Sequence, residues 1–478
     1  MVDAPVLRLQ EIALFERPVH LRLPFRFGVV TLTACPQAFV RVRIRTDDGV
    51  EAEGASAELL APKWFDKNLA LSNDDNFDQL RTSLRLAKAA YLADGESRPA
   101  FAHFTANYQP QIDAAAVQQL NPLIACFGPA LIDRALIDAL CRTEGISFYE
   151  AVQRNLPGID ATLTPDLNAF DFASFLGSLA PANRIALRHT VGLVDAITAA
   201  DVQQRVGDGL PETLEEVVAA TGCRYFKLKV AGNAEQDLAR LTRIAAVIDR
   251  VPDYVVTLDG NEQFADAEAA ARFWQQVQAT PALHRLAAAT LYIEQPLPRA
   301  TALQSDVRAL AAMRPVLIDE SDGTLDAFPQ ALTCGYTGVS SKDCKGIYRS
   351  LLNAARCRQL NLQAASDGRP AAYFMSAEDL TTQAGLAVQQ DLALVNLIGL
   401  THVERNGHHY VDGFSGQGGS AAEAQGFLRA QPGLYEACGD KVRLSVHGGM
   451  LDITSLAAPG FAASTQPDWA TLQPLAGS

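Results

Sequence analysis

Residues 225–260 read YFKLKVAGNAEQDLARLTRIAAVIDRVPDYVVTLDG. Two short apolar runs of strand length, YFKLKV and YVVTLD, flank AEQDLARLTRIAAVIDR, whose apolar residues recur at helical spacing. The same alternation extends outward. Upstream lie the strand IALRHTVGL and the helix LPETLEEVVAATG. Downstream follow the helix FADAEAAARFWQQVQ, the strand TLYIEQ, a helix near 301–313, the strand PVLIDE, the helical LDAFPQALT, the strand TGVSSK and the helix YRSLLNAARCRQL. NLQAA and LIGLTHVE read as the last two strands, with the helix TTQAGLAVQQDLAL between them. Strand–helix steps repeated over roughly 185–410 predict an α/β fold, a closed (β/α) barrel of parallel strands of the TIM type, in its plain or modified form. The rival, an open doubly wound sheet, lacks the glycine-rich phosphate turn of such sheets, GxGxxG or GxxxxGK.

The flanks differ in character. Residues 6–60 alternate apolar and polar side chains, with Asp47-Asp48-Gly49 as a turn, and apolar residues at helical spacing follow near 74–99 and 128–142. This predicts an N-terminal α+β domain over 1–150, a connecting segment over 151–184, the barrel over 185–410, and a C-terminal segment over 411–478 that closes back over the N-terminal domain or the barrel.

Composition narrows the function classes. The 478 residues carry a net charge of −14, with 48% hydrophobic and 20% charged residues. That is the make-up of an ordinary globular protein without a basic patch for nucleic acid. Eight cysteines are scattered without a CxxC pair, which suits a reducing compartment better than a disulfide scaffold. The N-terminal stretch lacks the pattern of a secretory signal, and no apolar run is long enough to span a bilayer. A cytoplasmic protein binding neither membrane nor nucleic acid is expected.

The chemistry concentrates at strand ends. Lys227 and Lys229 close YFKLKV, Asp259 closes YVVTLD, Glu294 closes LYIE, Asp319 and Glu320 close VLIDE, and Lys342 follows GVSS. In a parallel barrel the carboxyl ends of all strands open on one mouth, so these residues converge there. Three carboxylates on three adjacent strands form an all-oxygen site suited to Mg²⁺ or Mn²⁺. The proton beside a carboxylate is very weakly acidic, because its loss creates a second negative charge. A fixed cation and a proton-accepting amine address that difficulty together. Lys227 lies two residues from Lys229, on the same strand face, and can lower the proton affinity of its neighbour. Against this stands the bland reading: a single acid at a strand end is often a solvated cap, and an isolated KxK is more often surface charge. Lys345 and Lys227 can each be purely structural. Accident accounts poorly for five consecutive strands that each end in an ionisable residue.

The ordered set KxK, DGN, EQP, DES and then a lysine followed by KG resembles the enolase superfamily, in its muconate-lactonising-enzyme-like branch. The resemblance runs over most of residues 10–410 and is more specific for superfamily than for substrate. It implies Asp259, Glu294 and Asp319 as magnesium ligands, Lys229 and Lys342 as an acid/base pair, and Asn261 behind them. It further implies a capping domain with two loops over the mouth, near Leu21–Thr31 (Pro24, Phe25, Arg26, Phe27) and Ala55–Lys67 (Trp64, Phe65). Glu320, Lys345, Glu378, Glu404 and Arg26 join the expected substrate surroundings. Departures are visible: Asp343-Cys344 follow Lys342, Phe374–Glu378 replace a glycine-rich turn after the seventh strand, and Thr401–Asn406 replace the paired aspartates that hold a substrate ammonium in dipeptide epimerases. Glu404 with His402 can still hold a polar group. The implied reaction is racemisation, epimerisation or cycloisomerisation of a small carboxylate. β-Elimination and a catalytically inactive barrel acting as a binding module stay open, and a homo-oligomer is implied by the relatives. His402, His408 and His409 invite a zinc reading, but no further ligand is spaced to complete a tetrahedron. A Ser-His-Asp hydrolase lacks its GxSxG elbow.

Overall fold

The computed structural model describes residues 4–477. Its N-terminal part is an antiparallel sheet of β1 (Leu7–Phe27), β2 (Val30–Thr46) and β3 (Glu51–Leu59). Strict alternation sets its faces: Val40, Val42 and Ile44 are buried, whereas Arg43 and Arg45 on the opposite face are exposed. Asp47-Asp48-Gly49 make the turn between β2 and β3 as expected, with Gly49 at φ 89°. Helices Asn73–Asp94 and Phe127–Glu144 cover the buried face, and Ala100–Val117 packs against both of them. The first begins at Ser72, whose hydroxyl and Asp75 form a reciprocal capping box. The third crosses β3 at Gly54, where a β-carbon would collide with Ala135 O and Ala139 N of the helix backbone.

The barrel follows. Its strands are β4 (Arg184–Val191), β5 (Tyr225–Lys229), β6 (Val255–Asp259), β7 (Thr290–Glu294), β8 (Val316–Ile318), β9 (Gly338–Ser341), β10 (Phe374–Ala377) and β11 (His402–Arg405). Neighbours pair in parallel in the order β10-β9-β8-β7-β6-β5-β4-β11. The two ends of that ladder, β10 and β11, are in contact, so the sheet curls into the expected barrel. One expected strand is misplaced. Asn361–Ala365 (NLQAA) continue the helix Ile347–Ser366, and the seventh strand is Phe374–Ala377, in place of the turn expected there. NLQAA holds no β-branched residue and its Leu, Gln and Ala favour helix, whereas 374–377 is drawn out by pairing with β9. The Asn361 side chain ties the two together, accepting from Tyr373 N and donating to Tyr373 O.

Residues beyond the barrel touch both parts. β14 (Met450–Asp452) pairs antiparallel with β4, and β15 (Gln473–Pro474) pairs with β1. Arg17 of β1 meets Glu423 at 2.8 Å, fully buried. Among the described residues no helix is long and apolar enough to cross a membrane. All eight cysteines are free.

The Gly54 crossing gives a first prediction. Gly54→Ala overpacks a helix–sheet contact made by backbone on the helix side, and should cost about 1–3 kcal/mol. The check is a lower midpoint of thermal unfolding, beside a midpoint that is not lowered for an alanine at exposed, helical Gly177, where a β-carbon meets nothing nearer than Gln153 O at 3.8 Å.

Candidate active site

β5 places Lys227 and Lys229 on one face, as the two-residue period requires. Both side chains are buried inside the barrel. Adjacent register positions put Lys229 beside Asp259, and Asp259 beside Glu294. Lys229 donates to Asp259 Oδ2 at 2.6 Å. Lys227 stands nearer the barrel axis. Its Nζ lies 3.0 Å from Asp259, 2.8 Å from Glu294, 2.6 Å from Glu378 and 2.9 Å from Glu404. Burial alone would strip its proton, but these four carboxylates hold its pKa well above the ordinary lysine value. Lys227 is therefore a permanent cation.

Asp319, just past β8, pairs with Lys342 at 2.6 Å and lies 3.6 Å from Lys345. Burial works against its charge, yet these two lysines hold it below the usual carboxylate range. Burial likewise works against the charge of Lys342, and Asp319 overrides it, so Lys342 keeps its proton in this arrangement. Lys345 is saturated by Asp322, Ser340 O and Ser340 Oγ, which makes it a brace. Glu294 behaves differently: burial, then Asp259 and Glu378, push it well above the usual carboxylate range. Glu320 is also raised, by burial and by Glu262, Asp319 and Asp259, against the pull of Lys67.

Several contributors were not singled out from sequence. Arg188 of β4 donates to Glu378 and His402 and is wholly buried. Tyr292 of β7 donates to Glu378 at 3.0 Å, and Thr190 to Glu404 at 2.6 Å. Asp379 N donates to Glu404 Oε2 at 2.9 Å. An arginine in the middle of the apolar run IALRHTV was the available signal. His402 stacks on Tyr225 and accepts from Arg188, away from His408 and His409.

The mouth is roofed by apolar side chains. Phe25, Phe27, Leu32, Ala61, Trp64 and Leu380 close a pocket of about 20 Å³ whose polar wall includes Lys229, Lys342 and Glu404. The Trp64 ring lies 4.3 Å from Lys342 Nζ. Arg299 fixes this roof by donating to Trp64 O at 2.6 Å and Phe65 O at 2.7 Å, while Lys67 donates to Asn261 O at 2.6 Å and pairs with Glu262 at 2.6 Å. Asn261 itself donates to Glu320 Oε1 at 3.4 Å. Arg26 is not brought to the lysines: between inward Phe25 and Phe27, it falls on the exposed side of β1. Asn261, Gln295 and Thr381 carry positive φ values of 41°, 32° and 59°, so strained backbone gathers around this mouth.

Among the described residues no three Asp, Glu, His or Cys side chains stand as a ready metal cage. Asp259, Glu294 and Asp319 are each turned onto a lysine instead. Their chemistry nevertheless fits a hard divalent ion. All donors are oxygen. Glu294 and Glu320 are pushed toward protonation by burial and then by neighbouring acids, and Glu320 Oε2 and Asn261 Oδ1 are buried without a hydrogen-bond partner among the described residues.

A second prediction concerns the central ammonium. Lys227→Met leaves four buried carboxylates without their shared counterion and should destabilise the fold by about 3–5 kcal/mol. Chemical denaturation reads this loss, and an unchanged transition would mean that the acids find other partners.

Residues 209–415 match the family described as "Enolase C-terminal domain-like". No curated protein sequence matches the chain. Among solved structures, an enolase from Bradyrhizobium, complexed with magnesium and mandelic acid, is 16% identical, covers 98% of each chain and has a TM-score of 0.59. A dipeptide epimerase from Enterococcus faecalis V583, complexed with Mg and the dipeptide L-Leu-L-Tyr, is 14% identical over 95% of this chain and 99% of its own, with a TM-score of 0.59. A 2-chloromuconate cycloisomerase from Rhodococcus opacus 1CP is 18% identical over 96% and 97%, with a TM-score of 0.57. Residues 209–415 thus match that family model, and the whole chain shares the fold of these solved structures.

Proposed function

We propose that this enolase-superfamily barrel removes the proton next to the carboxylate of a small substrate, with a divalent cation, Mg²⁺ or Mn²⁺, and then returns the proton or closes a ring. The observation that carries the reading is the placement of Lys229 and Lys342 in one small, roofed pocket, each lysine backed by its own aspartate.

A cation held by Asp259, Glu294 and Asp319 supplies the fixed positive charge that a second negative charge on the substrate requires. Lys227 adds a charge that does not titrate away, because four acids surround it. It stabilises negative charge and takes no proton. Lys342, which keeps its proton beside Asp319, acts as donor, and Lys229 acts as its counterpart on β5. The apolar roof excludes water, which strengthens each of these charges; at about 20 Å³ the closed space admits a substrate only when the roof lifts, and the roof then offers an apolar face to the substrate's body. A substrate ammonium finds no free acid near the eighth strand: Asp379 is held by Arg405 and Asn406 N, and Glu404 by Lys227 and Thr190. A carboxylate whose remaining body is uncharged and apolar therefore suits the pocket better than a dipeptide with its ammonium group.

Two measurements test this. Paramagnetic resonance should detect Mn²⁺ bound to the purified chain and lost in Asp319→Asn; absence of bound Mn²⁺ in the parent protein would sink the metal assignment. NMR in heavy water with Mg²⁺ and a panel of arylacetate-like and other apolar carboxylates should show deuterium entering the α position. Lys229→Met and Lys342→Met should each slow that exchange or the net reaction by about 10²-fold or more. Exchange at the parental rate in both variants would remove the lysines from the reaction.

A further inference from the structure

The capping part and the barrel meet on a buried set of charges that does not balance. Glu58, near the end of β3, and Asp343, which follows Lys342 after β9, share the guanidinium of Arg134 on the helix Phe127–Glu144. Its Nη2 lies 3.3 Å from Glu58 and its Nη1 2.8 Å from Asp343, and all three side chains are fully buried. The other charges that face this trio are committed elsewhere. From the helix Leu386–Leu397, Asp391 accepts from Asp343 N at 3.3 Å and is paired with Arg405 of β11, which also holds Asp379 at 3.1 Å. Asp138, on the helix of Arg134, is paired with Arg142 at 3.0 Å. Lys342 and Lys345, on either side of Asp343 and Cys344, turn to Asp319 and Asp322. Burial pushes the Cys344 thiol up, so it is uncharged, and the residue of β2 opposite Glu58 is Ala38. Glu58, Asp343, Asp391 and Asp379 therefore meet two arginines.

Two carboxylates out of water on one cation cannot both keep their charge cheaply, because the second has no counterion. Hydrogen bonding does not make up the difference. Besides Arg134, Glu58 accepts only from Leu59 N, at 3.1 Å, and Asp343 Oδ1 is buried without a partner among the described residues. One bound proton removes the excess charge. Burial raises both acids against the pull of Arg134 and with the help of Asp391, Glu58 to about 8 and Asp343 to about 7. The proton belongs to the pair.

We propose that Glu58 and Asp343 hold one proton between them over Arg134, and that this proton is a clasp between the capping part and the barrel which weakens as pH rises and is gone on the alkaline side. Both acids bind the proton more tightly in the closed seam than in an open one, where carboxyls titrate near about 4. The stabilisation is therefore complete below about pH 4 and is lost progressively as pH rises through about 7 and about 8. Its loss reaches the reaction pocket from two sides. The chain runs from Glu58 into Ala61 and Trp64 of the roof, and Asp343 adjoins Lys342. The clasp operates whatever reaction takes place at the mouth.

The test follows amide hydrogen exchange of the full chain at pH 6 and pH 9 by mass spectrometry, with rates corrected for the intrinsic pH dependence of exchange. In the parent protein the protection of residues 57–67 and 343–346 should fall about tenfold or more between the two pH values. Glu58→Gln and Asp343→Asn each leave one acid to one arginine, and in both the fall should shrink to about threefold or less. The helix Ala234–Ile248 should exchange alike in all three proteins. Infrared difference spectra of the parent against Glu58→Gln should show the carbonyl stretch of a protonated carboxyl at pH 6 and lose it at pH 9. If one variant fails to fold, the other answers the same question, because either replacement removes the same proton. Seam protection that does not fall in the parent, a fall as large in a folded variant, or no protonated carboxyl at pH 6 overturns the proposal.

Discussion

The ammonium of Lys227 sits at the seam where the barrel closes without a strand-to-strand backbone ladder. Among the described strands, β10 and β11, the two ends of the ladder, lie in contact without pairing with each other, and Glu378 follows the first while Glu404 belongs to the second. Lys227 reaches from β5 and binds both, together with Asp259 of the neighbouring β6 and Glu294 of β7 beyond it. Arg188 and Tyr292 hold Glu378 from the far side. So many buried charges cost solvation, and they are tolerable only as a mutually satisfied set. One member of that set, Glu404, also lines the reaction pocket.

The same logic joins the capping part to the barrel. Arg134, fully buried on the helix Phe127–Glu144, reaches Asp343 after β9 and both Glu58 and Ala57 O of β3. Asp343 is pushed up to about 7 and Glu58 up to about 8, mainly by burial, so this junction holds one firm cation between two reluctant acids. Arg299 and Lys67 do the equivalent work at the rim by gripping backbone carbonyls of Trp64, Phe65 and Asn261. A roof held by its backbone leaves its side chains free to face the pocket. This explains how Phe25, Phe27 and Trp64, which sequence alone would assign to a core, can line a substrate space.

Reading the chain residue by residue recovered the barrel, most of its strands and the lysine and acid positions, because apolar periodicity and strand-end charge are local signals. It failed at β10. Four residues, Phe374–Ala377, carry too little pattern to outweigh the helical NLQAA before them, and only pairing with β9 makes them a strand. It also passed over Arg188 and Tyr292, whose partner Glu378 lies on another strand far along the chain. Arg26 shows the opposite error: it was grouped with Phe25 and Phe27 by nearness in sequence, but the strand period turns it outward.

What the sequence determined by itself was the repeating strand–helix alternation and the kinds of charge at the strand ends. Both follow from short-range chemistry: side-chain period, capping residues and the preference of each residue type. The tertiary structure decided which charge meets which. It made Lys227 a fixed cation at the barrel axis, turned the three acids onto lysines, and set Glu58 and Asp343 on a single guanidinium. Those outcomes depend on distances between residues remote in the chain and on how completely water is excluded around them. Neither quantity is written in any single stretch of sequence.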